Sequence, residues 1–317
     1  MPTRATTLTA TAILTLVAAC RPDAHVAGPA ARADVLASAP FTQSASWSTP
    51  VNLGSTVNSA FVEFTPELAA TELSLYFSSN RPGGSGSNDL WVSRRSAVDA
   101  PWEAPVNLGP AINSPGNDGA PHLSRDGHRL FFTSNRAGGL GDNDVWMSWR
   151  DDVHDDLAWE APVNLGSGIN GPGFEAGASL FGRELYYTSD GGADVPLDIY
   201  VSLVAEDGTF GPGVRVAELS SVGGDLRPSV SFNGLEIFLS SDRAGTTGGS
   251  QDIWRSYRLP GGAWSTPVSL GPAVNTGFQE QQPALSKDGR RLFFASNRPG
   301  GSGAMDIYVV ERLVGPQ

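Results

Sequence analysis

Five carboxylates recur at one place in a repeated pattern of this 317-residue chain: Glu63, Asp118, Glu175, Asp225 and Glu280. Each stands three positions before a proline or its equivalent. Gathered on one face, such a ring could hold a cation or act on a sugar by acid–base chemistry. A residue present in every repeat usually serves what every repeat shares, so these are read as structural acids. Arg81, Arg136, Arg243 and Arg298 recur alongside them. Carboxylate–guanidinium pairs between neighbouring repeats are therefore expected, with Glu175 left without an arginine.

A second set, Asp89, Asp144, Asp198, Asp252 and Asp306, opens a strand in each repeat. These aspartates are expected to accept N–H groups of the adjacent loop. Asp142-Asn143-Asp144 has the look of a calcium loop, but it lacks the glycine at the sixth position and the glutamate at the twelfth. No cofactor is expected, and calcium at a loop or on the axial acids is the metal alternative. The tryptophans Trp47, Trp102, Trp159 and Trp264, with Trp91, Trp146 and Trp254, could stack on sugars. Their regular spacing favours packing between repeats. Trp149 breaks that spacing and is assigned to an exposed outer edge.

Polar residues that differ from repeat to repeat need another explanation. Thr65, Glu67, His122, Ser179, Arg227, Ser229 and Gln282 alternate with an apolar set that includes Phe64, Pro66, Leu68, Pro121 and Leu123. If they face a shared channel, they are the candidate ligand-lining set. Nucleophile and metal constellations are absent. The four histidines, His25, His122, His128 and His154, are scattered, and neither H-E-x-x-H nor G-x-S-x-G occurs. The Gly84-Ser85-Gly86 and Gly301-Ser302-Gly303 clusters have no helix behind them to bind phosphate. No catalytic residue is assigned.

What positions these residues is a repeat of about 54 residues. Segments 75–95, 130–150, 185–204, 237–258 and 292–312 align, from LYFSSNRPGGSGSNDLWVSRR to LFFASNRPGGSGAMDIYVVER. A second element recurs as WSTPVNLG from Trp47, WEAPVNLG from Trp102 and Trp159, a degenerate copy from Phe210, and WSTPVSLG from Trp264. Each copy holds four short strand candidates joined by turn pairs such as Asp126-Gly127 and Asn233-Gly234. Gly (38) and Pro (23) supply the many turns, and no segment carries a capped 3.6-residue period. The expected fold is all-β: a five-bladed β-propeller with four antiparallel strands per blade. The last blade runs out of chain after its third strand. A strand at 47–53 is expected to complete it and close the ring.

The chain carries 21 Lys+Arg against 33 Asp+Glu, a formal charge of −12. So acidic a surface excludes a nucleic-acid partner. One cysteine, Cys20, excludes an internal disulfide and a cysteine zinc site. Residues 1–19 place Arg4 before an uncharged stretch ending Val17-Ala18-Ala19-Cys20, a secretion signal that resembles the bacterial lipobox. That resemblance implies lipidation of Cys20, a tether over 20–46 and a propeller over 47–317. Arg21 follows the cysteine where an inner-membrane retention signal would have aspartate. The chain is thus expected to cross the inner membrane and be anchored to the outer one, facing the periplasm.

The pattern acid-x-x-Pro-x-Leu-Ser-x-Asp-Gly, then aromatic-Ser-Asn-Arg-x-Gly-Gly and Asp-Ile-Trp/Tyr-Val-Ser, resembles the WD-repeat-like propeller repeat of TolB-type envelope proteins. Its best copies are 118–150 and 280–312. The resemblance implies an interaction platform, expected to be monomeric, for a protein or cell-wall glycan partner. The alternative is a carbohydrate-active enzyme of the glycoside hydrolase-like five-bladed class, with Glu67 and one ring acid as its carboxylates. A metal-stabilised adhesin is a third reading.

Overall fold

The computed structural model describes residues 46–192, 196–248 and 250–313. The signal segment, Cys20 and residues 21–45 lie outside the described residues. Five four-stranded antiparallel blades follow one another in the chain. Blade 1 holds β3 (Glu63–Leu68), β4 (Ser74–Ser79), β5 (Asp89–Arg94) and β6 (Val106–Asn107). Blade 2 holds β7 (Asp118–Leu123), β8 (Arg129–Ser134), β9 (Asp144–Trp149) and β10 (Val163–Asn164). Blade 3 holds β11 (Glu175–Phe181), β12 (Glu184–Ser189), β13 (Asp198–Leu203) and β14 (Val214–Arg215). Blade 4 holds β15 (Asp225–Val230), β16 (Glu236–Ser241), β17 (Asp252–Tyr257) and β18 (Val268–Ser269). Blade 5 holds β19 (Glu280–Leu285), β20 (Arg291–Ser296) and β21 (Asp306–Leu313).

Two short N-terminal strands supply the missing rim. In β2 (Val51–Asn52), Val51 pairs with Val309 and Asn52 with Tyr308; in β1 (Ser46–Trp47), Trp47 pairs with Arg312. A loop this long costs little more to close than a shorter one, because closure entropy grows only logarithmically. What holds the seal is burial. Trp47 is 4% exposed, meets Phe238 of blade 4 edge-on at 6.4 Å and lies under the Arg312 guanidinium at 4.9 Å. Burying a side chain of this size contributes about 2–3 kcal/mol.

Five apolar clusters stand one at each seam between blades. The second strands supply fully or nearly fully buried aromatics, including Tyr76, Phe77, Phe131, Phe132, Phe238, Phe293 and Phe294. Because successive strand residues point to opposite faces, the two adjacent aromatics of one second strand enter two different seams. Phe131 joins the cluster shared with blade 3, and Phe132 the cluster shared with blade 1.

The innermost strands β3, β7, β11, β15 and β19 surround the axis and contact one another around the ring. Each carries a bulge against its second strand, as between Phe64 and Glu67 in blade 1. At the bulge stand Thr65, Ala120, Gly177, Arg227 and Gln282, all left-handed, with φ between 50° and 61°. Four of the five are not glycine, so the surrounding structure must over-determine this conformation. In four blades a proline follows (Pro66, Pro121, Pro228, Pro283), and its missing N–H spares the bulge an unpaired donor. The bulge also overturns the simple apolar–polar alternation expected along these strands. Pro66, Pro121, Pro228 and Pro283 line the axis beside their polar neighbours.

Candidate functional site

The left-handed residues are held by a repeated device. The N–H of Ala120 donates to Ser78 Oγ (3.1 Å), that of Gly177 to Thr133 Oγ1 (3.1 Å), that of Arg227 to Thr188 Oγ1 (2.9 Å) and that of Gln282 to Ser240 Oγ (2.7 Å). Each acceptor is a hydroxyl on the second strand of the preceding blade. Blade 5 has Ala295 there, with no hydroxyl to offer. The closing seam instead uses the Gln282 side chain, whose Oε1 accepts from Thr65 N–H at 2.8 Å.

A second tier lies two residues further along the same strands. Leu123 N–H donates to Glu67 Oε1 (3.1 Å), Leu180 N–H to His122 Nε2 (2.9 Å) and Val230 N–H to Ser179 Oγ (3.1 Å). His122 Nδ1 also stands 3.1 Å from Glu67 Oε1. Since Nε2 accepts, the imidazole proton belongs on Nδ1, facing the carboxylate. Three chemically different side chains therefore do one job, capping the neighbouring strand. Ser229 occupies the fourth such position, and its hydroxyl makes no hydrogen bond among the described residues. Ala284 occupies the fifth and has no polar atom to give.

The seven variable polar residues divide accordingly. Thr65, Glu67, His122, Arg227, Ser229 and Gln282 line an axial neck of about 30 Å³ with the bulge prolines. Ser179 is 1% exposed and spent on the seam to blade 4. Arg227 stands apart from the rest. Its Nη1 is buried without a hydrogen-bond partner, and no carboxylate among the described residues pairs with it. Burial alone pushes its guanidinium down to about 10.

The neck opens into a mouth of about 50 Å³ on the face that carries the turns between first and second strands. Arg125, Phe181, Phe232 and Lys287 line it. The Arg125 guanidinium lies 4.2 Å from the Phe232 ring centre and 5.2 Å from that of Phe181; Lys287 Nζ is 5.0 Å from Phe232. Sequence reasoning missed all four. Each occupies the variable position of a Ser-x-Asp-Gly turn or its equivalent, so unlike residues at a repeated turn were the available signal.

The ring acids are placed differently from expectation. Their arginines pair within a blade and not between blades. Arg81 meets Glu63 at 2.9 Å, Arg136 meets Asp118 at 2.6 Å, Arg298 meets Glu280 at 2.9 Å, and Arg243 pairs with Asp225. The register explains it: Asp118 faces Ser134 across the hairpin, and Arg136 follows Ser134 by two residues. Ser134 Oγ then fixes the guanidinium by accepting from its Nε at 2.9 Å. The second Nη2 contact reaches the carbonyl of Ile112, on the segment leading into the blade. Glu175 has no cationic partner among the described residues. It accepts from Gly171 N–H (2.7 Å) and Ser189 Oγ (2.8 Å), and burial raises its pKa. All five acids are at most 2% exposed.

Asp89 accepts from the N–H groups of Ser85 and Gly86, and Asp144 from those of Leu140 and Gly141. Asp306 does the same for Ser302 and Gly303, and Asp252 for Thr247. Asp198 pairs with Arg215. Among the described residues no three His, Cys, Asp or Glu side chains gather to hold a metal. Trp159 meets Tyr76, and Trp264 meets Tyr186, across seams. Trp149 is half-buried, not exposed: it stacks on His128 at 5.0 Å.

No protein-family profile matches the chain, and no curated protein does. Solved structures match its fold. A thermostable family-43 glycoside hydrolase is 13% identical over 82% of this chain and 92% of its own, with a TM-score of 0.54. A putative TolB from Agrobacterium tumefaciens is 15% identical over 85% and 88%, with a TM-score of 0.50. TolB from Acinetobacter baumannii is 14% identical with a TM-score of 0.48, and the chain spans 54% of its length. The chain is thus similar in fold both to TolB-type propellers and to a glycoside hydrolase, at identities that speak for the propeller alone.

Proposed function

We propose that this chain is a lipid-anchored propeller of the cell envelope that binds a partner through its axial channel and the turns around the channel mouth. One observation carries the reading. The residues lining neck and mouth include a single carboxylate, Glu67, and its Oε1 is already engaged by His122 and Leu123 N–H. Glycoside hydrolysis needs two carboxylates about 5–5.5 Å or 6.5–9.5 Å apart across a shared cleft. The ring acids that could supply the second are buried and bonded to their own blades. A rigid ring that displays aromatic and charged side chains on turns binds with little ordering cost.

Cys20 is the proposed lipidation site, and residues 21–45 lead from it to the rim of blade 5, where Ser46 pairs with Leu313. Replacing Cys20→Ala should move the chain from the membrane to the soluble fraction. A chain that stays with the membrane after this change would refute the anchor. For binding, the full chain is tested on a glycan array and by capture from its own envelope extract, beside turnover assays on arabinan and xylan oligosaccharides. Saturable binding without turnover is the expected result. Turnover that Glu67→Gln abolishes would replace the binding reading with the enzymatic one.

A further inference from the structure

The axial neck is rich in donors and poor in acceptors. Its guanidinium, Arg227, has a buried Nη1 that bonds nothing. Gln282 and Ser229 line the same space, and among the described residues the Gln282 amide nitrogen and the Ser229 hydroxyl have no hydrogen-bond partner; Gln282 spends its Oε1 on Thr65. Glu67, the one carboxylate there, has its Oε1 engaged by His122 and Leu123 N–H. Counting neck and mouth together, Arg227, Arg125 and Lys287 stand against Glu67. This cationic excess lies at the centre of a chain whose formal charge is −12.

Blade 3 makes room for the guanidinium. Gly177 is the one glycine among the five bulge residues, and a Cβ built on it would lie 2.6 Å from Arg227 Cδ. The site is therefore assembled from two blades and would close if blade 3 carried the side chain its counterparts carry. Arg227 is partly buried, and its one fully buried nitrogen, Nη1, lacks a partner, which costs stability. The Gln282 amide and the Ser229 hydroxyl can donate to an acceptor beside Arg227, and a planar, two-oxygen anion matches the guanidinium fork. The neck has room for roughly two water-sized groups, enough for the two oxygens of a carboxylate.

We propose that the neck is a carboxylate-binding site: Arg227, aided by Gln282 and Ser229, holds the carboxylate of a small organic acid, whose remainder extends into the Phe181–Phe232 mouth. This rests on the reading of the chain as a ligand-binding propeller. The test is thermal unfolding of the full chain in detergent, titrated with sodium acetate beside acetamide and sodium chloride at constant ionic strength. Acetate should raise the midpoint saturably, while acetamide and chloride do not. Arg227→Met should remove that response and raise the unliganded midpoint. Ser229→Ala, which deletes a hydroxyl that bonds nothing among the described residues, should weaken the response several-fold. Absence of a saturable acetate effect, an equal effect of chloride, or an unchanged response in either folded variant overturns the site. If acetate has no saturable effect while the parent chain still captures an envelope partner, the carboxylate site falls while the platform reading stands.

Discussion

Blades 2 and 3 are neighbours built on one repeat, yet they treat the same buried acid in opposite ways. Asp118 accepts from Ser114 N–H and Oγ and pairs with Arg136, which also bonds the Ile112 carbonyl. Glu175 accepts from Gly171 N–H and Ser189 Oγ only; Gly171 stands where blade 2 has Ser114, and Gly191 where it has Arg136. The acid survives the loss of its arginine. Its first role is therefore to hold the loop that enters the blade, and the arginine is a second layer that neutralises the acid and ties down the incoming segment.

The largest effect expected from this contrast is on the paired side. Arg136→Ala leaves a buried aspartate uncompensated and should destabilise by about 3–5 kcal/mol. Arg298→Ala should do likewise in blade 5, where Glu280 bonds Thr276, Ser296 and Arg298 in the same arrangement. Chemical denaturation of the two variants measures this. A loss below about 1 kcal/mol in both would show that the arginines are surplus to the acids.

How far the sequence revealed these features depends on what repeats. Five copies of an aromatic second strand and four of a Trp-x-x-Pro-Val element made the propeller and its N-terminal closure legible, because the period-2 strands and Asp-Gly turns leave little else to form. The acids and arginines were visible as residue types, but pairing within a blade follows from hairpin register, which spacing alone does not fix. The axial bulge was hidden. Its left-handed residue is Thr65, Ala120, Gly177, Arg227 or Gln282, with no common side chain, since the backbone and a neighbouring hydroxyl impose the conformation. For the same reason Arg227 could be picked out as variable but not as unpaired.

Grafting the missing arginine onto blade 3 sharpens the contrast. Gly191→Arg supplies the residue that Asn135-Arg136 supplies in blade 2, yet it should cost about 1–3 kcal/mol in place of stabilising the blade. Gly191 has φ +65°, and a Cβ there would meet the Tyr200 hydroxyl at 2.5 Å. In blade 2 the arginine has room to stack on Trp146, whereas at Gly191 the positive φ and the Tyr200 hydroxyl both oppose a side chain. Stabilisation by Gly191→Arg would mean that the loop can rebuild the blade 2 arrangement, and would remove Tyr200 as the reason for its loss.

The smallest effect has the opposite sign. Burial, reinforced by Asp190 and Asp144, raises the Glu175 pKa above its ordinary 4.5. A carboxyl whose folded value is raised is held more tightly as the protonated form in the folded state. It favours folding fully only below the unfolded value, and that contribution is lost as pH rises through the unfolded value to the folded one. Above that window the cost of the buried charge is complete and constant. Gly171 N–H bonds Oε2 and Ser189 Oγ bonds Oε1, so Glu175→Gln keeps its one oxygen for Gly171 N–H and turns its NH2 to the Ser189 hydroxyl, which can accept, and it carries no charge. Relative to the parent it should gain stability on the order of 1 kcal/mol at neutral pH, and the gain should shrink to nothing as pH falls below about 4. The matched Asp118→Asn should destabilise at neutral pH, because it strands the Arg136 cation in place of relieving an unpaired anion. Unfolding curves of both variants from pH 3 to pH 8 separate the cases. If Glu175→Gln is neutral or destabilising throughout, blade 3 has a source of positive potential at this acid that its bonding does not reveal.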